Sequence, residues 1–291
     1  MGRLGISDLP LPPRQYRPDL ETDPDGVTWM ETASKARAED ALRYNMLARR
    51  ASTADEAERH QIDTLSARLK ERPPVTLASS WYMRKRRIRV AGNLWRLVDN
   101  PMHSGAAIFT MVPAGWSFSA QQLDRACPRK LLQAVRADLN RSGATSADGY
   151  LIAFIHGEYD PGSDRFQLHL HGLAAGGMLH VLDRLRTKPK YRSSRSRTGE
   201  KEGPSCQRLK IDRRPINNLP YRLTYLLKSW WQSRWIGAVA PNGVVRRSRQ
   251  VQRIPEPAHT QYLAWLDRWT LGDISLVMKL NVTREGFIVG S

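Results

Sequence analysis

The chain has 291 residues, of which 41% are hydrophobic, and a formal net charge of +18 at pH 7. This length and composition predict a soluble globular protein, either one good-sized domain with extensions or two small domains. Two cysteines, Cys127 and Cys206, exclude a disulfide framework and a Cys-rich zinc site, and no apolar run approaches the roughly 20 residues of a membrane span or forms an export signal, so a cytoplasmic location is expected.

The first hundred residues predict an arm followed by helices. Residues 1–27 are rich in Pro and Asp, which predicts an extended arm that packs little. Residues 28–100 form a helical and basic N-terminal extension, with one or two exposed helices up to residue 71. Within it, residues 81–89 mix bases with aromatic rings, a combination suited to single-stranded DNA. The alternative for 81–89 is a solvent-exposed edge strand.

The central domain is expected over residues 101–236. It begins with a short apolar strand at 108–112. Ser119 and Gln122 have the spacing of a capping box, which predicts the start of a helix. Because Pro128 interrupts the helical pattern, a kink or a division into two helices is predicted.

Two longer strands, 150–159 and 166–173, are separated by the turn-forming residues 160–164 and predict an antiparallel hairpin. Alternation places His169 and His171 on one face of the second strand, about 7 Å apart along it. Neutral imidazole is a common metal ligand, so this spacing suits the binding of one metal ion. The alternative is that both histidines only line a solvated face.

A helix is predicted around residues 221–228, and two sets of side chains lie on its opposite faces. Its apolar stripe comprises Leu219, Leu223, Leu226 and Trp230, and its other face comprises Tyr221, Tyr225 and Lys228. An aromatic pair four residues apart is often a packing contact. Here the phenols lie away from the apolar stripe, which favours a chemical role.

The positive charge is concentrated around this tyrosine segment. Residues 181–250 hold 18 Lys and Arg against 4 Asp and Glu, whereas residues 1–70 hold 11 against 12. A basic surface of one sign predicts a nucleic-acid partner, while solubilising surfaces usually mix signs. The side chains expected to bind DNA are Arg84, Lys85, Arg86, Arg87, Arg192, Arg195, Arg197, Arg213, Arg214, Arg222, Arg246 and Arg247.

The end of the chain, 237–291, predicts a basic linker followed by a helical segment. A helix is expected over 263–269. Residues 271–287 then predict two short helices, either as a helical cap for the core or loosely as a helix-turn-helix.

A His-hydrophobe-His strand followed by Tyr-x-x-x-Tyr-x-x-Lys resembles the HUH endonucleases, specifically two-tyrosine rolling-circle replication initiators and their transposase relatives. The resemblance covers about residues 105–235 and includes Thr110 in the first apolar strand. It departs at Thr224, where many members carry lysine. The implied fold is α+β, a mainly antiparallel sheet with helices on one face, here with helical N- and C-terminal extensions.

The resemblance also implies a metal site. Glu158 takes the position of the acidic residue that joins the two histidines, here His169 and His171, in binding Mg²⁺ or Mn²⁺. In the predicted hairpin Glu158 would face His169. His156 shares the face of Glu158 by alternation and is the second candidate for third ligand.

The same resemblance implies a tyrosine nucleophile that forms a 5′-phosphotyrosine and a free 3′-OH. Tyr225 is expected to act first, because Lys228 lies one turn beyond it as a nearby base, and Tyr221 would act second. Two tyrosines would allow a second strand transfer while the first tyrosine remains esterified.

The predicted function is a metal-dependent, site-specific single-strand DNA endonuclease and strand-transferase that initiates rolling-circle replication of a plasmid or phage. Its partner would be single-stranded or hairpin DNA at an origin. A host helicase is expected as well, because the chain has no Gly-x-x-x-x-Gly-Lys-Ser/Thr loop. The alternatives are a transposase or relaxase using the same chemistry, a non-catalytic DNA-binding protein on the same scaffold, and an unrelated metallohydrolase.

Overall fold

A mainly antiparallel sheet forms the centre of the protein, which has the predicted α+β class. The computed structural model describes residues 4–22, 26–103, 105–192, 208–234, 236–239, 245–247 and 251–290. In chain order, the strands are β1 (Ala107–Met111), β2 (Ser117–Phe118), β3 (Tyr150–Asp160), β4 (Arg165–Ala175), β5 (Leu209–Asp212), β6 (Gln232–Ser233), β7 (Ile236–Val239), β8 (Val245–Arg247), β9 (Ser275–Met278), β10 (Leu280–Thr283) and β11 (Gly286–Val289). The helices are α1 (Ala33–Ala51), α2 (Glu56–Lys70), α3 (Ser80–Asp99), α4 (Ala120–Arg125), α5 (Pro128–Arg141), α6 (Gly177–Arg186), α7 (Tyr221–Thr224) and α8 (Ala258–Asp267).

The central sheet has seven strands. Its main path runs β5-β1-β4-β3-β6, with β2 bonded to β4 and β9 bonded to β3. The pairings are antiparallel except that of β3 with β6. Every residue of β3 from Tyr150 to Gly157 is buried, so both faces of the sheet are covered at this central strand.

The hairpin of β3 and β4 is confirmed, and its register corrects one prediction. Pairing begins with Asp160 opposite Arg165 and continues residue by residue along both strands. His156 therefore lies directly opposite His169, whereas Glu158 lies opposite Gln167. The expectation that Glu158 faces His169 was wrong, because the four-residue turn sets the register two positions away from that pairing.

The elements before the hairpin follow the sequence closely. The Ser119 side chain accepts a hydrogen bond from the backbone N–H of Gln122, and the Gln122 side chain accepts one from the N–H of Ser119, which is the predicted capping box at the start of α4. Pro128 begins α5, so the interrupted pattern forms two helices. Proline suits a first helical position because the N–H it lacks would have no helical partner there.

The N-terminal region differs from the prediction in two places. Residues 81–89 form the first half of the long helix α3, so the alternative of an edge strand was wrong. The arm also packs: Leu9 is fully buried, and the side chains of Arg89 and Asn93 donate hydrogen bonds to the carbonyls of Leu9 and Pro10. The apolar residues of the arm thus complete a surface that α3 alone would expose.

The C-terminal region is a helix followed by strands, not the predicted helical segment. Helix α8 begins five residues earlier than expected and carries Trp265 into the core. The two short helices expected over 271–287 are β9, β10 and β11. Because β9 pairs with β3, the central sheet takes a strand from beyond residue 236.

One cluster of buried hydrophobic side chains joins these regions. Its members come from the arm, from α1 to α3, from the sheet and from α8, and range in sequence from Ile6 to Leu280. Among the residues that the structure describes, no helix combines the length and the apolar character needed to cross a membrane.

Candidate active site

Three histidines meet on one face of the β3–β4 hairpin. The Nε2 atoms of His169 and His171 are 3.1 Å apart, and the two ring centroids are 4.7 Å apart. The ring of His156 lies 4.9 Å from that of His171 and 5.9 Å from that of His169. The strand alternation that the sequence predicts thus brings the pair together, and the cross-strand register adds His156.

The second nitrogen of each paired histidine has an oxygen partner. His169 Nδ1 lies 3.3 Å from the carbonyl oxygen of Gln167, which can only accept, so Nδ1 carries the proton and Nε2 keeps its lone pair. His171 Nδ1 lies 3.1 Å from the Thr110 hydroxyl, which can accept or donate. If Nδ1 of His171 donates to Thr110, both Nε2 lone pairs point to the same place. Hydrogen bonds of this kind orient histidine ligands around a metal ion.

His171 and His156 are neutral at physiological pH. Burial lowers the pKa of His171 to about 3, and the neighbouring His169 and Lys228 add to this shift. Burial also lowers the pKa of His156 well below its usual value. Neutral rings are the form that binds a metal ion.

His156 also connects the hairpin to the tyrosine segment. Its Nε2 is 2.7 Å from the carbonyl oxygen of Leu226, to which it must donate, because a carbonyl only accepts. Nδ1 of His156 is then the nitrogen that keeps a lone pair. Donation to this carbonyl holds the chain next to Tyr225 against the histidine face.

Glu158 lies farther along the same face and is bound by other side chains. Its Oε1 accepts a hydrogen bond of 2.6 Å from Gln232 Nε2 and forms an ion pair of 3.3 Å with Arg234. Glu158, the expected acidic ligand, is thus bound by Gln232 and Arg234, two residues that follow the tyrosine segment in the sequence. Its negative charge still reaches His171, whose pKa it raises against the larger effect of burial.

The paired nitrogens fit two positions around one cation. Nitrogens that each lie about 2.1 Å from the same ion are about 3 Å apart, and His169 and His171 have this separation. Within the described ranges, no group of three or more His, Cys, Asp or Glu side chains is arranged to hold a metal ion. His169 and His171 therefore provide a two-nitrogen site whose third protein donor, Glu158 or His156, would have to turn toward it.

The tyrosine segment forms less helix than predicted. Helix α7 covers only Tyr221–Thr224, after which the chain turns. Leu223 and Leu226 are buried as expected, but Trp230 is 40% exposed and its neighbour Trp231 is buried instead. Trp231 takes this place because its ring stacks 5.4 Å from Tyr262 of α8 and packs against the Cα of Gly157.

Both tyrosines are accessible and adjacent. Tyr221 is 38% exposed and Tyr225 is 48% exposed, with ring centroids 5.5 Å apart. Lys228 Nζ lies 4.7 Å from the ring centroid of Tyr225. Burial raises the pKa of Tyr221 and lowers the pKa of Lys228, with Glu158 opposing the shift of the lysine. A lowered pKa increases the neutral fraction of the lysine amine, which is its proton-accepting form.

The tyrosines and the histidine face share one cleft. A cavity of about 270 Å³ is lined by Ile108, Thr110, His171, Tyr221, Arg222, Tyr225 and Leu226. Tyr225 also lines a second cleft of about 460 Å³, together with Lys228, Trp230 and residues of α1 and α3. Tyr225 therefore stands between the histidine cleft and a larger groove.

Three donors from distant parts of the chain hold the backbone of the tyrosine segment. Arg87 donates to the Thr224 carbonyl at 3.3 Å, and Arg43 donates to the Ser229 carbonyl at 3.1 Å, while His156 binds a carbonyl between them. Sequence reasoning missed Arg43 and gave Arg87 to DNA. The sequence did contain a signal for internal binding: an arginine at a helix position surrounded by buried residues needs hydrogen-bond acceptors within the protein.

The structure divides the predicted DNA-binding residues into three groups. Arg84 and Arg87 are buried and form ion pairs with Asp19 and Glu31, which leaves their guanidinium groups little surface for the predicted DNA contacts. The internally engaged but less buried residues are Arg86, bonded to the Ser7 carbonyl; Arg213, paired with Asp183; and Arg214 and Arg222, paired with Asp212. Lys85 and Arg192 are exposed.

Four further predicted DNA contacts fall where no side chain is described. Arg195 and Arg197 lie outside the described residues, and Arg246 and Arg247 belong to β8, of which only the backbone is described.

No family model, curated protein or solved structure matches the chain.

Proposed function

We propose that this protein is a DNA nicking and joining enzyme that uses HUH-type chemistry, on an HUH-like fold. One observation carries the proposal: a single cleft is lined by His171, Tyr221 and Tyr225, and the Nε2 atom of His171 converges with that of His169. A pair of neutral imidazoles next to two exposed phenols matches the needs of phosphodiester transesterification.

The histidine pair is the proposed cation site, with Mg²⁺ or Mn²⁺ as the expected ion. The chemistry that such an ion supplies is polarisation of the scissile phosphate and compensation of the negative charge in the transition state. Thr110 and the Gln167 carbonyl orient the two rings for this role. His156 or Glu158 would provide the third ligand. Geometry favours His156, because its ring already contacts both partners.

Tyr225 is the proposed first nucleophile. Its phenol oxygen would attack the phosphorus, the bond from phosphorus to the 3′-oxygen would break, and the 3′-oxygen would leave as a hydroxyl after protonation. The phenol proton would pass to a base, for which the Lys228 amine is suited by its lowered pKa and its place over the Tyr225 ring. The phosphotyrosine bond keeps the energy needed for rejoining.

Tyr221 is the proposed second nucleophile. Its ring is in contact with that of Tyr225 and lines the same cleft. Burial raises its pKa, so its phenol is harder to deprotonate than an exposed one. A second phenol within reach would let an attached strand be passed on without release.

In a biological setting this chemistry would start rolling-circle replication of a plasmid or phage at single-stranded or hairpin origin DNA, with a host helicase separating the strands. The same reaction would serve a transposase or a relaxase. The proposed partner is DNA because residues 181–250, which contain the tyrosines, hold 18 Lys and Arg against 4 Asp and Glu.

The decisive experiment is a search for a covalent adduct. The protein is incubated with MnCl₂ and a pool of 3′-labelled single-stranded and hairpin oligonucleotides, whose 3′ fragment would stay on the tyrosine, and the products are separated in SDS. A slower band that keeps the label supports the proposal. Cleavage without a labelled protein band would indicate a metallohydrolase, and binding without cleavage would indicate a non-catalytic DNA-binding protein; either result would overturn it.

A further inference from the structure

A second large cleft lies away from the tyrosines, between α1, the end of α2 and the start of α3. It has a volume of about 630 Å³, in the range of sites that hold small organic ligands. Its lining includes the aromatic and cationic side chains of Arg37, Tyr44, Lys70, Arg72, Trp81 and Lys85. Nothing in the proposed chemistry uses them.

Two aromatic rings form the surface of this cleft, and cations lie over both. Arg37 lies 4.5 Å and Lys85 4.9 Å from the Trp81 ring centroid, and Lys70 lies 4.4 Å from that of Tyr44. Both rings are half-buried, so they are fixed in place while part of each remains accessible. Fixed rings of this kind are platforms on which bases of single strands stack, and a base would here displace a cation from over the ring toward the phosphates.

The cations of the cleft have no anionic partner of their own. None of Arg37, Lys70, Arg72 and Lys85 forms an ion pair with any residue in the part of the chain that the structure describes. The one acidic residue in the lining, Asp40, uses both oxygens to accept hydrogen bonds from the start of α3. Four like charges around one cleft repel each other, and a polyanion would remove that repulsion.

This cleft and the groove that Tyr225 lines use neighbouring residues of the same two helices. On α3, Ser80 lines the tyrosine groove and Trp81 lines the aromatic cleft; on α1, Lys35 lines the tyrosine groove and Arg37 lines the aromatic cleft. Because residues two positions apart on a helix point in nearly opposite directions, the two sites lie on different sides of the contact of α1 with α3.

We infer that the cleft between α1, α2 and α3 binds single-stranded DNA, with bases stacked on Trp81 and Tyr44 and phosphates bound by Arg37, Lys70, Arg72 and Lys85. The choice of DNA as the polyanion rests on the proposed function. The cleft would bind a part of the strand outside the nicking site and so keep the DNA on the protein during the reaction.

The test measures binding of a fluorescent dT20 oligonucleotide by anisotropy, without a metal ion and therefore without chemistry. The double variant Arg37→Ala/Lys85→Ala should weaken binding about tenfold at 0.1 M salt and reduce the salt slope by up to about two phosphates. The control Arg49→Ala/Lys130→Ala removes two exposed charges outside the cleft and should change affinity less than threefold. Equal losses of affinity in the two double variants would overturn the inference, because the charges would then act only through the overall charge of the protein.

Stacking is tested by substitution and cross-linking. Trp81→Ala should weaken dT20 binding about tenfold or more and Trp81→Phe much less, because the ring is kept. Thermal unfolding of both variants identifies a folding defect. Illumination of 5-iodouracil-substituted oligonucleotide should link it to the peptide containing Trp81 or Tyr44. A cross-link found only elsewhere, or equal competition by polyglutamate, would overturn the inference.

The two proposals fail in distinguishable ways. If no DNA forms a covalent adduct but dT20 still cross-links at Trp81, the nicking function is wrong and the binding cleft stands. If the adduct forms on Tyr225 and neither the Arg37 double variant nor Trp81→Ala changes dT20 binding, the cleft is wrong and the nicking function stands.

Discussion

At the residue scale, the separation of 3.1 Å between His169 Nε2 and His171 Nε2 sets what the cleft can do. In the absence of a cation the two nitrogens can share one proton in a hydrogen bond. With a cation both present lone pairs, provided that His171 Nδ1 donates to Thr110. The hydroxyl of Thr110 is suited to both states because it can donate or accept.

Replacing both histidines tests this site. His169→Ala/His171→Ala should abolish nicking, since the described residues hold no group of three or more ligating side chains that could replace the pair. Affinity for single-stranded DNA should change less than threefold because it depends on the basic surface. Activity is measured as adduct formation and affinity as anisotropy. Undiminished nicking by the double variant would show that His169 and His171 do not bind a metal ion needed for the reaction.

Two matched variants test whether His156 or Glu158 is the third ligand. His156→Gln should reduce nicking more than Glu158→Gln, because the His156 ring contacts both other histidines whereas Glu158 is held by Gln232 and Arg234. Mn²⁺ titrations of adduct formation should show the larger rise in the half-saturating concentration for His156→Gln. The opposite order would return the role to Glu158.

The roles of the two tyrosines are distinguished by replacing each with phenylalanine, which removes only the phenol oxygen. Tyr225→Phe should eliminate most of the adduct, because the ring that Lys228 contacts is kept and only the nucleophilic oxygen is lost. Tyr221→Phe should still nick but fail to transfer the attached strand to a second site. Mass spectrometry of the DNA-linked peptide decides between them. An adduct found only on Tyr221 would reverse the order, and one on neither would end the nucleophile hypothesis.

At the element scale, the tyrosine segment is positioned more by its neighbours than by its own helix. Helix α7 has a single turn, and the carbonyls that follow it are bound by His156 and Arg43. Arg43 is completely buried, donates to the Ala78 carbonyl as well, and pairs with Glu39, which in turn pairs with Arg253. This chain of contacts ties α1 to the tyrosine segment.

The network predicts a pH dependence of stability. Burial alone would raise the pKa of Glu39, but the guanidiniums of Arg253 and Arg43 outweigh it and hold this pKa at about 2. A carboxyl whose pKa is lower in the folded state stabilises the protein above its unfolded pKa of about 4.5 and loses that contribution as the pH falls toward 2. We expect Glu39→Gln to flatten the decline of unfolding free energy between pH 5 and pH 3.

The size of this effect is bounded by the shift. Lowering the pKa of Glu39 from 4.5 to about 2 corresponds to at most about 3.5 kcal/mol at neutral pH, and to less because Glu39 is partly exposed. Urea unfolding at pH 7 and pH 4 gives the values, and Glu285→Gln, on an exposed residue outside the network, is the control. An identical pH profile for Glu39→Gln and the parent protein would show that the network does not stabilise the fold.

At the scale of the whole molecule, two features matter: one hydrophobic cluster and an excess of positive charge. The core links Ile6 to Leu280, so the arm and the C-terminal strands support the same sheet that carries the histidines. Many arginines that were expected to bind DNA are instead bound to carboxylates or carbonyls of the protein. The number of cations available to a partner is therefore smaller than the 46 Lys and Arg of the sequence suggest.

Salt dependence measures how much of that charge contacts DNA. Affinity should fall steeply with salt, and changing Arg192, Arg195 and Arg197 to Ala should flatten the slope by up to about three phosphate equivalents. The matched control changes Arg49, Lys130 and Arg284, three exposed residues elsewhere on the chain. If both triple variants have the parent slope, the segment from 192 to 197 does not follow the DNA backbone.

The sequence by itself determined the features that depend on neighbouring residues. Strand alternation placed His169 and His171 on one face, the turn residues joined β3 to β4, and the Ser119 capping box and Pro128 set the starts of α4 and α5. These are short-range effects of backbone geometry and local hydrogen bonding, and they act in the same way whatever the chain packs against.

Only the tertiary structure decided the features in which distant segments compete for the same partner. Arg84 and Arg87 look like DNA contacts until Asp19 and Glu31 are brought beside them, and residues 275–278 form a strand because β3 offers an unpaired edge. The tyrosine helix ends early because tertiary donors bind the carbonyls that would have continued it. Burial and hydrogen-bond partners are properties of the folded chain, and local sequence patterns do not contain them.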